Sequence, residues 1–274
     1  MSQKSLRILW LYPNQHMRVT PPGGVAIITA CLKREGYSNI ELFDATWYPV
    51  DHEKFSRPDR DKEREKRQMF PEYKWERDDL DSDFFMLEGE DMYSAWRKKV
   101  IEFKPDVIIS SIVEDTYYIW QKFMNQITDQ KFISVVGGVF ITYNPKEFVG
   151  KADYICRGEG DEVIPELMDL IGDGKDGHHI KNVYPNEMRP ALDVNSLPPT
   201  DHEIFDKRSL YRPFQGKIVK IATVETQRGC PFKCKFCNSP SNAGIYKEET
   251  DSLFFRQRTV EHIEMEIQHL IKTI

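Results

Sequence analysis

Short apolar runs alternating with stretches of helical period confine the first 172 residues to one class of fold. The runs are Leu6–Tyr12, Asn39–Phe43, Val107–Val113, Phe132–Val136 and Tyr154–Cys156. Runs this short, rich in Ile, Val and Leu, read as strands buried on both faces. Between them, Val25–Arg34 carries apolar residues at helical spacing, and Gly36 stops it. Glu114–Ile127 and a stretch from about Asp161 to Ile171 read as further helices. Strands separated by helices imply right-handed crossovers, hence an α/β, doubly wound parallel sheet of Rossmann-like type. Ligands of such sheets bind outside the carboxyl ends of the strands. Gly137-Gly138 and Gly158-Glu159-Gly160 lie at two of those ends. Either pair can serve a tight turn, or let a flat ligand approach the backbone. No Gly-x-Gly-x-x-Gly follows the first strand, so a dinucleotide site is not indicated.

The chemistry-bearing feature lies further on. Cys230, Cys234 and Cys237 fall within the run Arg228-Gly229-Cys230-Pro231-Phe232-Lys233-Cys234-Lys235-Phe236-Cys237. Three thiolates at this spacing can hold three irons of a four-iron cluster and leave the fourth without a protein ligand. Clusters that only carry electrons normally have four protein ligands. An open metal position binds a substrate or cofactor instead, as on catalytic zinc. A zinc site is the rival, but it takes four ligands, often from two paired motifs. No second Cys pair follows here, and the nearest downstream histidines are His262 and His269, on a helical pattern. Disulfides fit poorly with five cysteines, three of them crowded. Cys31 and Cys156 sit in apolar patterns and read as small buried hydrophobes.

Cys-x-x-x-Cys-x-x-Cys with an aromatic before the last Cys resembles the signature of radical S-adenosylmethionine enzymes, and the preceding Val224-Glu225-Thr226-Gln227-Arg228-Gly229 strengthens the likeness. The resemblance implies a [4Fe–4S] cluster on Cys230, Cys234 and Cys237, with S-adenosylmethionine chelated by the open iron. Phe236 matches the aromatic that flanks the adenine. One electron from the cluster then cleaves a carbon–sulfur bond and releases a 5′-deoxyadenosyl radical. An external flavodoxin or ferredoxin is the implied electron donor. Ile218–Val224 reads as a buried strand delivering the cysteine loop to the edge of a partial (β/α) barrel.

Residues 1–172 resemble the cobalamin-binding domain that often precedes the radical domain. The matching pieces are Tyr12-Pro13-Asn14, Pro22-Gly23-Gly24, Ser110-Ser111, Val136-Gly137-Gly138 and Arg157-Gly158-Glu159-Gly160. The resemblance places Ser110, Ser111, Gly137, Gly138 and Gly158 against cobalamin. It departs from the pattern at one point. Asp-x-His-x-x-Gly, whose His binds cobalt, is absent, and Asn14-Gln15-His16 lacks both the Asp and the Gly. Some members bind cobalamin without a protein ligand and others keep only the fold, since fold alone does not establish function. The implied reaction is cobalamin-assisted methyl transfer to an unactivated carbon or phosphorus of a small molecule or biosynthetic intermediate. Radical ring closure or another radical rearrangement without bound cobalamin, or a non-catalytic corrinoid-binding module, are the alternatives.

Residues 51–99 read as an insertion. Asp59–Arg67 is nine charged residues in a row, four acidic and five basic, a solvated helix. Its aromatics, Phe70, Tyr73, Trp75, Phe84, Phe85, Tyr93 and Trp96, read chiefly as packing groups, with a lid as the rival. Residues 173–215 read as a linker, with His178-His179 on its surface. Asn238–Glu249 reads as loop. From Arg256 an amphipathic helix carries Ile263, Ile267, Leu270 and Ile271 on one face. Residues 216–274 thus match only the first unit of the barrel, so the chain is expected to be the amino-terminal portion of an enzyme and inactive alone. A complementing carboxy-terminal fragment is the expected partner. A net charge of −6 gives no sign of a nucleic-acid surface. No apolar run approaches a membrane span, and Met1–Ser5 leaves no room for a targeting peptide, so a cytoplasmic location is expected.

Overall fold

The computed structural model describes residues 4–14, 20–49, 87–214 and 217–274. Five parallel strands form the central sheet: β1 (Ile8–Tyr12), β2 (Ile40–Asp44), β3 (Val107–Ser111), β4 (Ile133–Gly137) and β5 (Tyr154–Ile155). Their order is β2-β1-β3-β4-β5. The chain therefore reverses its direction of winding between β1 and β3, the place where doubly wound sheets open a crevice. The register sets Ile8 beside both Ile40 and Val107, and Ser111 beside Gly137.

Alternation along the strands feeds two cores. Ile8, Trp10, Val107, Ile109 and Val135 face α1 (Gly23–Arg34) and the later helix Val163–Gly172. Leu9, Leu11, Ile108 and Val136 face α2 (Met92–Phe103) and α3 (Tyr117–Asn125). Each side chain of Leu or Ile size so buried contributes roughly 1.5–3 kcal/mol relative to exposure. After β4 come a short helix α4 (Val139–Tyr143), β5, and α5 (Val163–Gly172). The α1 helix ends where Gly36 takes a φ of +96°.

Several expectations need correction. The insertion ends before residue 92, not at 99, because Met92–Phe103 is a core helix. Asp91 caps it by accepting from the Ser94 N–H at 2.8 Å, and Trp96 is fully buried with its indole N–H on the Phe123 carbonyl at 3.0 Å. Tyr93 packs beside Phe123, so the two described aromatics of that stretch pack rather than cover a site. The charged run Asp59–Arg67 and Phe70, Tyr73, Trp75, Phe84 and Phe85 lie outside the described residues, as does His16. The third expected helix starts later: Glu114–Thr116 is a 3-10 turn, and α3 follows. Residues 173–215 are not a free tether, since Ile180, Val183, Met188, Val194, Leu197, Phe205 and Leu210 are all buried. His178 and His179 are exposed, as expected.

The carboxy-terminal part departs most. Ile218–Val224 does not form one buried strand. Instead β6 (Tyr211–Phe214) and β7 (Lys217–Lys220) pair antiparallel as a hairpin, and 221–226 carries no strand. The preceding segment supplies the backbone partner, in register Tyr211 to Lys220. A second small ladder joins β8 (Gln227–Arg228) to β9 (Arg256–Gln257). Between them, α6 (Ser239–Thr250) occupies the stretch expected as loop. Pro240 stands in its first turn, where a missing N–H costs nothing, so Ser-Pro here starts a helix rather than breaking one. The last helix, α7, runs Val260–Thr273 and is capped by Thr259, so Arg256 belongs to a strand. Its inward face also differs from the apolar stripe. His262, Glu266 and Leu270 are buried, while Ile267 and Ile271 are exposed. Burial of Glu266 is possible because Arg258 lies 3.4 Å away and the Thr200 N–H and hydroxyl donate to the carboxylate. Among the described residues no helix is long and apolar enough to cross a membrane.

One glycine fixes the sheet edge. Gly138 has a φ of +113°, and a Cβ there would lie 2.6 Å from the Ile112 carbonyl oxygen. Gly138→Ala is expected to lower stability by about 2 kcal/mol or more. Gly24→Ala, where nothing lies within 4 Å, is expected to change it by under about 0.5 kcal/mol. Urea midpoints of the two variants check this; equal midpoints would refute it.

Candidate functional site

The carboxyl ends of β1, β3, β4 and β5 open on one cleft of about 300 Å³. Ser110, Ser111, Gly137, Gly138 and Gly158, the five residues the sequence pointed to, all line it. Its apolar walls are Trp10, Ile109 and the α1 residues Ile27 and Ile28. Pro22 leaves the start of α1 without a side-chain cap, and Gly23 and Gly24 face open space there. Ser110 is buried and its Oγ accepts from the Trp120 indole at 3.2 Å, so its hydroxyl is already engaged on one side. Asn14, singled out by the same resemblance, is buried and donates to Thr46 at 2.7 Å, tying the loop after β1 to that after β2.

The glycines divide into two kinds. A Cβ on Gly137 would meet only Cys156, at 3.8 Å, which is ordinary contact. Gly158 has a φ of +69°, and a Cβ there would lie 2.7 Å from the Tyr246 hydroxyl of α6. Gly158 is thus demanded by packing against α6, a role its place in the sequence did not disclose.

Charge enters the cleft from the cysteine-bearing segment. Arg228, two residues before Cys230, lines the cleft with Glu225. Its guanidinium reaches Asp161 at 2.9 Å, Glu159 at 3.1 Å and Glu225 at 3.1 Å. Arg256 makes a two-pronged pair with Glu159, at 2.7 and 2.8 Å. Burial alone would raise the Glu159 carboxyl. The Arg256 bond and the charge of Arg228 outweigh it and hold that group below the ordinary value. Asp161 goes the other way, pushed up because its deeper burial outweighs Arg228. Burial would lower Arg228, but Asp161 and Glu225 outweigh that and raise it. Sequence reading missed this network. No local signal pairs these groups, since Arg228 lies 69 residues from Glu159 and 67 from Asp161.

The three cysteines sit on the loop between β8 and α6. Cys230 is half-buried, and Cys234 and Cys237 are exposed. None forms a disulfide. The Cys237 N–H donates to the Cys234 carbonyl at 3.2 Å, and the Ser239 N–H lies 3.4 Å from the Cys237 sulfur. Among the described residues no three His, Cys, Asp or Glu side chains are arranged to hold a metal ion. The donor set itself fits an iron–sulfur cluster: three free thiols within eight residues, none committed to the core. Phe236 points into solvent, 94% exposed. Cys31 and Cys156 are the opposite case, buried as expected, with thiols that burial pushes up to about 12.

The volume of the cleft lies at the lower limit of small-molecule sites, and Gly23 and Gly24 leave space open at its rim.

No protein-family model matches the chain. The anaerobic magnesium-protoporphyrin IX monomethyl ester cyclase of Cereibacter sphaeroides is 24% identical over 259 residues, covering 85% of this chain and 35% of that protein. The bacteriochlorophyllide d C-8(2)-methyltransferase of Chlorobaculum tepidum is 32% identical over 110 residues, covering 40% of this chain and 23% of its own. Among solved structures, the radical S-adenosylmethionine methyltransferase TsrM from Kitasatospora setae, with cobalamin and a [4Fe–4S] cluster bound, superposes with a TM-score of 0.55. That match has 16% identity and covers 97% of this chain and 45% of that one. The fold is therefore shared with a radical S-adenosylmethionine methyltransferase. The fold that the resemblance of the cysteine spacing implied is the fold of this neighbour, and the two relatives are a cyclase and a methyltransferase. The chain spans between 23% and 38% of the curated relatives it matches.

The contrast between the two sets of thiols has a direct readout. At pH 8, iodoacetamide is expected to alkylate Cys230, Cys234 and Cys237 in the native chain, and all five cysteines in urea. Peptide mass mapping checks this; modification of native Cys31 or Cys156 would refute it.

Proposed function

We propose that this chain is the amino-terminal portion of a radical S-adenosylmethionine enzyme, with residues 1–172 a cobalamin-binding-type domain and 216–274 the start of the radical domain. The observation that carries the reading is the rooting of a three-thiol loop beside a glycine-lined cleft at one sheet edge. When bound, the cluster supplies the electron that breaks a carbon–sulfur bond of S-adenosylmethionine, and a corrinoid supplies a transferable methyl group. Cys230, Cys234 and Cys237 hold the cluster, and their number leaves one iron open for S-adenosylmethionine. Phe236 covers the adenine. Ser110, Ser111, Gly137, Gly138 and Gly158 form the cleft wall against one arm of the corrinoid, and Ile27, Ile28 and Ile109 exclude water from it. An external flavodoxin or ferredoxin provides electrons, the location is cytoplasmic, and the substrate is a small molecule.

Methyl transfer to an unactivated carbon or phosphorus is the favoured outcome, in keeping with the fold shared with TsrM. Radical ring closure is the second reading, favoured by the cyclase relative that matches 85% of this chain. The two differ in their need for cobalamin. Completion of the barrel, by a longer chain or a complementing fragment, is part of both.

Anaerobic treatment of a protein carrying this chain and a complete barrel with iron and sulfide is expected to load about four irons. Cys234→Ala is expected to abolish that loading and leave the fold intact by circular dichroism. Tight zinc binding without iron uptake would reverse the assignment. Saturable binding of hydroxocobalamin supports methyl transfer, and its absence with intact cluster loading favours the cyclase.

A further inference from the structure

The side chains of Arg157 and Glu159 do not line up as ligand groups alone; they hold the cysteine-bearing segment. Glu159 is the hub, only 12% exposed. Its carboxylate accepts from Arg228 before the cysteines, from Arg256 after them, and from the Leu192 N–H. Arg157 makes a two-pronged pair with Glu249 of α6, at 2.7 and 3.0 Å. The Glu159 N–H donates to the buried Tyr246 hydroxyl of the same helix at 3.0 Å, against the face where Gly158 leaves no room for a side chain. From the last residue of α4, the Tyr143 hydroxyl donates to the Asn238 carbonyl at 2.6 Å, one residue past Cys237.

Both stems of the cysteine loop are therefore fastened to one tetrapeptide at the sheet edge. We propose that Arg157-Gly158-Glu159-Gly160 is a latch, and that Glu159 and Arg157 are positioning residues that fix the cysteine loop over the cleft. Two of these pairs, Arg157–Glu249 and Arg256–Glu159, are two-pronged, which sets orientation as well as attraction. Groups that would be held on the cysteine loop and in the cleft need their spacing fixed closely, since small misplacements cost large factors in rate. The functional weight of the latch rests on the proposed reading above; its existence does not.

Hydrogen exchange of the full chain tests it without any cofactor. Glu159→Gln is expected to speed exchange in residues 225–250 roughly tenfold, leaving β1, β3 and β4 unchanged. Glu249→Gln, at a more exposed position, is expected to speed exchange in α6 alone. If Glu159→Gln loosens the whole sheet, the Glu249→Gln result decides. Unchanged exchange in 225–250 in both variants overturns the latch. Loss of hydroxocobalamin binding with unchanged exchange does so too, and marks the tetrapeptide as a ligand loop. Failure of cobalamin binding or cluster loading in the unmodified protein bears only on the proposed function.

Discussion

The register of one parallel sheet underlies everything at the site. Backbone hydrogen bonds set Ser111 opposite Gly137 and Val136 opposite Ile155, so the strand ends finish level. Level ends put four loops around one crevice, at the point where the winding reverses between β1 and β3. A one-residue slip would turn Ile108 and Ile109 to opposite faces and empty both cores. The tolerance for such a slip is therefore small, and the cleft inherits the rigidity of the cores beneath it.

Electrostatics then joins the end of the sheet to the cysteine-bearing segment. Glu159, Asp161, Arg228 and Arg256 are largely out of water. Removing charges from water is costly, so such a cluster adds modest net stability. Its stronger effect is conditional: taking away one member strands the others in a poorly solvated place. A network of this kind selects a single arrangement of the segments it links more than it strengthens the fold. The buried Arg258–Glu266 pair with Thr200 extends the same logic to α7.

The sheet was legible because its signal is local and strong. Val107–Ser111 is β-branched and apolar up to its last two residues, and Gly36 marks the end of α1 through positive φ. The candidate site was half legible. The five cleft residues stand at strand ends, where topology alone gathers them, and the cysteine spacing is a covalent fact. What stayed hidden depends on distant partners. The helix Ser239–Thr250 has almost no apolar periodicity and is held by Tyr246 and Glu249, whose contacts lie some ninety residues earlier. Ile218–Val224 reads as a core strand by composition, but a hairpin supplies the neighbour that its backbone bonds require. The face of α7 was misread for a related reason: a carboxylate went inward because an arginine was waiting for it.

The exposed isoleucines of α7 have a practical consequence. Ile271 is 77% exposed and Val260 75%, and on the cysteine loop Phe232 is 69% exposed. Water ordered against such side chains is released when two molecules touch, so each favours self-association as concentration or sulfate rises.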